Sequence, residues 1–418
     1  MPELDSTKKP RRGWKIAVIS VVAAVIAVGG VGAATATTWK PAADALVGSS
    51  LATPTAAPTT EAPALPVSMT LAPKTGATLV NPADQVVAEV KNGTIFNAVL
   101  KETATGESTD GELFVSGSKW IASKPLKFNT DYTLDVTAVD DNGKQSNQVS
   151  TFTTVSEANE ADMWMYPAND STVGVAQPLE FHFSEPVTNK TAVEKAIKIS
   201  SATGQKGAFH WYSDTMVRYR AAEHWPANTK LKVDINLFGV DYGNGQIGNF
   251  NKTNTINIGD KVVMEADATA HIVHIYVNDK LTKTFLASMG DERFPSAAGY
   301  LVLTADKQRF ATFDASTIGL KPGDPAYYGK LDVEYATRLA NSGIFIHLAA
   351  PVAIPYLGKV NLSHGCIGLD REGASWVFNN MKPGDLVHTV GTPDPTNTIA
   401  PTDGFGDWNI PFAEYAHR

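Results

Sequence analysis

Hydrophobic and polar residues alternate with a period of two over much of the chain between residues 67 and 259. Residues 132–139 and 179–183 show the alternation most clearly, and it is typical of strands with one buried face. No long segment with the 3.6-residue period of an amphipathic helix interrupts these strands. The pattern therefore predicts a mostly β architecture for this part of the chain.

The same region contains an internal repeat. Met69 and Pro73 recur as Met163 and Pro167, and Asn129-Thr130 recurs as Asn228-Thr229, at offsets of roughly 95 to 100 residues. Repeats of this length are whole domains rather than solenoid units. We therefore predict two β-sandwiches of immunoglobulin-like build, over residues 67–155 and 156–259, without the Cys-Trp-Cys pattern of antibody domains. Because they group no catalytic residue types, we expect spacer or docking modules.

The pattern changes at residue 260, and residues 260–391 predict a third, β-rich domain. We expect a hairpin over 271–287, a strand over 343–347, helices over 332–340 and 371–381, and a closing strand over 386–390. Residues 314–331 are rich in glycine and proline and carry two tyrosines. A loop of this kind inside a compact domain is a candidate lid. The aromatic tail, residues 392–418, is predicted to pack back on the chain.

The N-terminus has the pattern of a membrane segment. A segment with several basic residues, 1–15, precedes residues 16–36, which carry no charge. A helix of this length would span roughly 30 Å, the thickness of a bilayer core. We predict a single-pass anchor in the cell membrane with the later domains outside the cytoplasm; the alternative is a signal peptide cleaved after Ala34-Thr35-Ala36. Residues 37–66, rich in Pro, Ala and Thr, predict an extended linker.

Composition narrows the chemistry. The formal net charge of −8 argues against nucleic acid as a partner. Cys366 is the only cysteine in 418 residues, so it cannot form an internal disulfide in an exported protein. It lies in Ser363-His364-Gly365-Cys366, where a histidine and glycines favour a reactive thiol over a buried bystander or an intermolecular link.

The residues around Cys366 leave three interpretations open. In the first, Cys366 is the nucleophile of an acyl-transfer site, His347 or His364 is its base, and the amides of Gly365 and Cys366 stabilise an oxyanion. In the second, His347, His364 and Cys366 bind zinc, although no neighbouring CxxC or HxxxH supplies metal-ligand spacing. In the third, the cluster is structural and the thiol is inert.

His347 followed by Ser363-His364-Gly365-Cys366 resembles the signature of the L,D-transpeptidases, whose catalytic domain is of the YkuD type. Further segments resemble the actinobacterial, membrane-anchored branch, which has two immunoglobulin-like domains before the catalytic one. These segments are Met289-Gly290, Pro295-Ser296 with Gly299, residues 333–337, residues 342–347 and residues 403–411.

The resemblance implies a reaction and its partners. Cys366 would attack the carbonyl before the terminal D-alanine of a donor tetrapeptide stem in peptidoglycan and form a thioester. The amine of a second, acceptor stem would resolve it as a 3→3 cross-link. His347 would be the base, oriented by the carbonyl of Leu348, while His364 and Ser363 support the site. No metal or organic cofactor is required, and carbapenem-type β-lactams would acylate Cys366.

The resemblance also marks Ser296, Tyr328, Leu348 and Gly368 as candidate substrate-binding positions. Three of them depart from the family pattern. Gly368 stands where Asn or Arg is usual, Leu348 stands where Ser is common, and the lid tyrosine is assigned to Tyr328 although Gly329 has the nominal position. Two alternatives therefore accompany the transpeptidase: a non-catalytic peptidoglycan-binding protein, and an L,D-carboxypeptidase or protein-anchoring enzyme on the same fold.

Overall fold

The computed structural model describes residues 65–417. Strands dominate this part of the chain, and three short α-helices occur in it, which confirms the prediction of a mostly β protein. No helix in this part is long and apolar enough to cross a membrane. The predicted membrane segment 16–36, its basic flank 1–15 and the linker up to residue 64 lie outside the described residues.

The first sandwich is formed by nine strands in two sheets, of order β1-β3-β7-β6 and β2-β9-β8-β4-β5. Its core contains Trp120 from the first sheet and Tyr132, Leu134 and Phe152 from the second, as alternation along the strands requires. The strands are β1 Ser68–Ala72, β2 Ala77–Val80, β3 Val87–Lys91, β4 Thr94–Glu102, β5 Ser108–Thr109, β6 Gly111–Phe114, β7 Lys119–Ala122, β8 Asp131–Val139 and β9 Gln145–Thr154.

The second sandwich has two four-stranded sheets, of order β11-β13-β16-β15 and β12-β20-β17-β14, with a small third sheet β10-β19-β18. Its elements are β10 Glu160–Ala161, β11 Met163–Tyr166, β12 Thr172–Val173, β13 Leu179–Phe183, α1 Lys190–Ala196, β14 Ile197–Ser201, β15 Gly207–Ser213, β16 Met216–Ala221, β17 Lys230–Asn236, β18 Asp241–Gly243, β19 Gln246–Gly248 and β20 Asn251–Ile258.

The repeat seen in the sequence has a structural counterpart. Asn129 and Asn228 both have left-handed φ angles, of 48° and 58°, just before β8 and β17. Their backbone N–H groups donate to the carbonyls of Val155 and Gly259, which follow the last strand of each sandwich. Asparagine tolerates this conformation better than most residues, which explains why it occupies both positions.

The third domain contains one nine-stranded sheet of order β24-β29-β21-β22-β23-β28-β27-β26-β25. Helix α2 packs on it through Ala374 and Val377, and the side chain of Asp370 caps the helix by accepting from the Gly373 amide at 2.7 Å. The elements are β21 Val262–Asp267, β22 Ile272–Val277, β23 Lys280–Ser288, β24 Gly299–Val302, β25 Lys307–Asp314, β26 Lys330–Ala340, β27 Ile344–Leu348, β28 Ile367–Leu369, α2 Arg371–Asn380, β29 Leu386–Val390 and α3 Phe412–Tyr415.

The helix predicted over residues 332–340 is wrong, because β26 occupies this segment. Tyr335 has a left-handed φ of 58°, and the strand register shifts again between Arg338 and Ala340. These irregularities leave Val333, Ala336, Leu339 and Ala340 all buried. A strand with broken alternation shows an apolar spacing close to that of a helix.

Candidate active site

His347 and Cys366 reach one site through two parallel strands. β27 carries His347, and Cys366 directly precedes β28, with Ile346 paired to Ile367 and His347 paired to Gly368. Paired residues and residues two apart on a strand point to the same face, so Cys366 lies diagonally beside His347 on that face. Both side chains line one cavity of about 400 Å³.

His347 is buried and oriented by the backbone. The residue is only 6% exposed, and its Nδ1 donates to the carbonyl oxygen of Leu348 at 2.8 Å. A carbonyl can only accept, so Nδ1 carries the proton and Nε2 keeps its lone pair. Burial lowers the pKa of His347, and the Leu348 carbonyl offsets part of that effect. The imidazole is therefore a neutral base near pH 7.

Cys366 is partly buried and protonated. Its Sγ donates to the carbonyl of Gly343 at 3.7 Å, and it packs against a small core with Val333 and Phe345. Burial raises the pKa of Cys366 to about 11, although a backbone hydrogen bond with Phe345 lowers it. The thiol therefore needs a base at the moment of attack, since little thiolate exists at neutral pH.

The loop before Cys366 is held by hydroxyl groups. Ser363 Oγ donates to the Cys366 carbonyl at 2.6 Å and accepts from the Gly365 amide at 3.2 Å. Ser296 Oγ donates to the Gly365 carbonyl at 2.9 Å, and Gly365 has a φ of +111° that favours glycine. The Gly365 amide, expected as an oxyanion donor, is thus paired with Ser363 in this structure.

His364 faces the loop between β25 and β26. Its Nε2 donates to the Ala326 carbonyl at 3.0 Å, and its ring contacts those of Tyr328 and Phe294 with centroids 5.0 and 4.6 Å away. Ala326 and Tyr328 belong to the loop between β25 and β26, which is the segment predicted as a lid. His364 therefore connects the β25–β26 loop to the cysteine loop, and His347 is the better placed base.

Two cavities flank Cys366 and share Phe313, Tyr328 and His364 as walls. The first, of about 400 Å³, is lined mainly by apolar residues such as Leu331 and Val352, and no Lys, Arg, Asp or Glu of the described residues lines it. The second, of about 430 Å³, is lined by polar and apolar residues together. Its other lining residues include Gln308, Asp314, Thr317, Arg338, Asn341 and Ser342.

The two departures from the family pattern at Gly368 and Leu348 have separate consequences. Gly368 lines the apolar cavity opposite His347, and a Cβ there would lie 3.3 Å from both Ala349 Cβ and the Ser288 carbonyl oxygen. A larger residue would need these neighbours to shift. The side chain of Leu348 packs against the main core, and only its carbonyl contacts His347.

Sequence reasoning missed Phe313 and Gly343. The Phe313 ring meets the His347 ring edge-on with centroids 5.2 Å apart, and Gly343 accepts from the thiol. Neither residue belongs to a sequence motif that indicates its role. The pairing of β25, β26 and β27 brings both residues to the site, and this pairing cannot be read from the local sequence.

The zinc interpretation finds no support in the geometry. Among residues 65–417, no three His, Cys, Asp or Glu side chains are grouped so that they could hold a metal ion. The three proposed ligands instead have separate partners: the Leu348, Ala326 and Gly343 carbonyls.

Comparisons with known proteins agree with this site. Residues 261–389 match the family model of the L,D-transpeptidase catalytic domain, and residues 77–241 match that of a bacterial Ig domain. L,D-transpeptidase 2 of Mycobacterium tuberculosis is 34% identical over 321 residues, which cover 77% of this chain and 77% of that protein. L,D-transpeptidase 5 of the same species is 28% identical over 78% of this chain and 71% of its own length.

Two solved structures are similar to part of this chain. A structure of the LD transpeptidase LdtMt1 in complex with imipenem is 32% identical, covers 54% of this chain and 97% of its own, and has a TM-score of 0.47. An L,D-transpeptidase from Mycobacterium smegmatis is 29% identical, covers 55% of this chain and 99% of its own, and has a TM-score of 0.46.

Proposed function

This chain belongs to the L,D-transpeptidase family, and we propose that it forms 3→3 cross-links in peptidoglycan through a thioester on Cys366. The observation that supports this most strongly is the pairing of a protonated thiol with a neutral imidazole on one face of β27 and β28. Because the Leu348 carbonyl holds the proton on Nδ1, Nε2 of His347 is the atom available to the thiol.

The acylation step follows from these protonation states. His347 Nε2 takes the thiol proton while Sγ of Cys366 bonds to the carbonyl carbon before the terminal D-alanine. The carbonyl oxygen becomes an oxyanion, for which the backbone amide of Cys366 is the nearest expected donor. When the C–N bond breaks, the imidazolium returns its proton to the leaving D-alanine amine, and the thioester remains.

The second step reverses these roles. The side-chain amine of an acceptor stem attacks the thioester, His347 takes a proton from this amine, and the sulfur leaves and is reprotonated as the thiol. A cavity on each side of Cys366 supports this proposal, because donor and acceptor must both approach one sulfur. Carbapenem-type β-lactams, which share the acyl chemistry, are the expected inhibitors. No metal or organic cofactor enters either step.

The location proposed for the reaction is outside the cytoplasm, where peptidoglycan lies. It depends on the uncharged segment at residues 16–36 and remains a prediction.

The test is mass spectrometry of residues 41–418 mixed with a tetrapeptide muropeptide. We expect an acyl adduct on Cys366, released D-alanine and a cross-linked dimer. Cys366→Ala should lose all three, and His347→Gln should slow D-alanine release by about 10²-fold or more, as expected for a lost general base. His274→Gln is the matched control, since this half-buried histidine contacts Thr284 on the neighbouring strand and lines neither cavity.

Each other outcome identifies a different function. Dimer formation by a folded Cys366→Ala protein would contradict the proposal. An adduct without a dimer would indicate hydrolysis, as in an L,D-carboxypeptidase, or transfer to a protein. The absence of both adduct and product would favour a non-catalytic peptidoglycan-binding protein, with Gly368 as the first candidate for the cause of the lost activity.

A further inference from the structure

The tail segment 403–411 resembles a family motif but takes no part in the chemistry described above. One side of it is fixed to the second sandwich through Arg218 of β16, which is 4% exposed. The guanidinium donates to the carboxylates of Glu180 and Asp407 at 2.6 and 2.8 Å. It also donates to the carbonyls of Pro401 and Gly404 at 2.6 and 3.0 Å, so it holds the tail by backbone and side chain together.

The other side of the same segment contacts the turn between β26 and β27. Asp403 Oδ1 accepts from the backbone N–H of Ser342 at 2.6 Å, and the Thr402 carbonyl accepts from the Asn341 side chain at 3.5 Å. Gly404 lies against the end of β26, where a Cβ would come within 2.7 Å of the Leu339 carbonyl oxygen. The tail is therefore joined to the turn by hydrogen bonds between side chain and backbone, and it lies against the end of β26.

This turn extends to the catalytic thiol. Gly343 follows Ser342 with a φ of +106°, and its carbonyl accepts the hydrogen bond from Cys366 Sγ. β27 starts at the next residue and carries both Phe345 and His347. The backbone of Phe345 forms a hydrogen bond with the sulfur of Cys366. The acceptor of the thiol proton in the resting state thus lies in this turn, and the base that removes the proton lies on the strand that follows it.

We propose that Asp403 is a positioning residue for Cys366: its carboxylate holds the turn at residues 341–343 and so aligns the thiol with His347. Through Arg218, the second sandwich is a structural support of this alignment. The inference rests on the proposed function in that the positioned thiol is the nucleophile. Asp403 itself lines neither cavity, so it acts through the turn.

Asn409 offers a matched control, because it fixes the same tail to a different place. Its Oδ1 accepts from the Tyr300 amide at 2.7 Å, and its Nδ2 donates to the Tyr300 carbonyl at 2.8 Å. Tyr300 lies in β24, at one end of the sheet order and six strands from β27. Asn409→Ala therefore removes a tail contact of similar strength without touching the turn.

The experiment compares Asp403→Ala, Asp403→Asn and Asn409→Ala in the protein of residues 41–418. One readout is D-alanine release from the tetrapeptide muropeptide, and the other is alkylation of Cys366 by iodoacetamide at pH 7 and pH 10. We expect Asp403→Ala to lower both rates at pH 7 by about 10-fold or more, because small misplacements of reacting groups are costly. KM should change less than kcat.

The pH dependence separates positioning from general damage. At pH 10 hydroxide can ionise the thiol without His347, so the alkylation deficit of Asp403→Ala should shrink toward 2-fold. Asp403→Asn should restore most of both rates, since its amide oxygen can still accept from Ser342. Asn409→Ala should stay within 2-fold of the natural protein at both pH values, even if its Tm falls as much as that of Asp403→Ala.

Three results would overturn the inference: equal losses in Asp403→Ala and Asn409→Ala, no recovery in Asp403→Asn, or faster alkylation in Asp403→Ala at pH 7. If Asp403→Ala does not fold, Asp403→Glu replaces it, since the longer side chain displaces the carboxylate and should give the same pattern. If the natural protein releases no D-alanine, the proposed function fails, while alkylation still decides whether Asp403 positions the thiol.

Discussion

The two sandwiches have the same general architecture, but they join their neighbours in different ways. The first meets the second through few contacts, chiefly the Asn81 side chain donating to the Gly239 carbonyl at 2.7 Å and an edge-to-face contact of Phe128 with Phe238. The second meets the catalytic domain through a buried arginine, Arg218, and the tail. Repetition of a fold therefore does not imply repetition of its role.

Backbone contacts strengthen the second junction further. The amides of Gly174 and Ala176 donate to the carbonyls of Pro383 and Gly384 at 2.8 and 3.0 Å, and the Trp408 indole donates to the Ala176 carbonyl at 2.7 Å. The second sandwich and the catalytic domain thus share buried structure, whereas the first sandwich is attached at its edge. Three predictions test this difference.

The largest effect is expected from Arg218→Met. The change removes the guanidinium from the carboxylates of Asp407 and Glu180, which keep only Tyr212 and His182 as side-chain partners, and Asp407 is fully buried. Removing one member of a buried ion group costs about 3–5 kcal/mol. Urea denaturation should show this loss in the free energy of unfolding of the second sandwich and catalytic domain.

Lys119→Met in the first sandwich is the control. Lys119 and Glu89 form an ion pair at 2.8 Å on the surface, and such pairs contribute about 0–1 kcal/mol. Equal losses in the two variants would show that the junctions do not differ as proposed.

A smaller effect, dependent on pH, is expected at His224 of the second sandwich, whose ring contacts that of Trp408 in the tail with centroids 4.4 Å apart. Burial, together with the positive charges of Lys261 and Arg220, lowers the pKa of His224 from 6.5 to about 4. Because the folded-state pKa lies below the unfolded value, the neutral ring's contribution is present above pH 6.5 and is lost as the pH falls toward 4. The loss is at most about 3 kcal/mol.

The measurement is the free energy of unfolding between pH 7 and pH 4 for the natural protein and His224→Gln. Asp385 acts with the opposite sign, since burial raises its pKa to about 6 and its protonation on acidification stabilises the fold. Because both proteins contain Asp385, its contribution cancels when their free energies of unfolding are subtracted. The free energy of unfolding of the natural protein, relative to that of His224→Gln, should therefore decrease as the pH falls.

The smallest effect is expected from Asn81→Ala at the first junction. The hydrogen bond to the Gly239 carbonyl across the junction is lost, together with the local one that Asn81 Oδ1 accepts from the Ala83 amide, and each contributes about 0.5–1.5 kcal/mol. Limited proteolysis between the sandwiches should become faster, while D-alanine release stays within 2-fold of the natural rate. A loss of turnover comparable to that of Asp403→Ala would mean that the first sandwich also supports the catalytic site.

Near neighbours in the sequence determined much of this protein. Alternation predicted the strands of both sandwiches, the Asn129 and Asn228 repeat predicted two copies, and the helix over residues 371–381 was confirmed as α2 to within one residue. The spacing of His347 and the Cys366 motif predicted the family. These features depend on properties of adjacent residues, such as side-chain period, capping and turn preference, and so they can be read directly from the chain.

Only the tertiary structure decided how distant residues meet. The segment predicted as a helix forms β26, in which Tyr335 has a left-handed φ angle. Parallel pairing places Gly368 beside His347 on the neighbouring strand. The Gly365 amide, expected to stabilise an oxyanion, donates to Ser363 Oγ instead. Arg218 and Asp407 pair across 189 residues. Such contacts depend on the path of the whole backbone, because a buried charge or amide bonds whichever partner folding brings within reach.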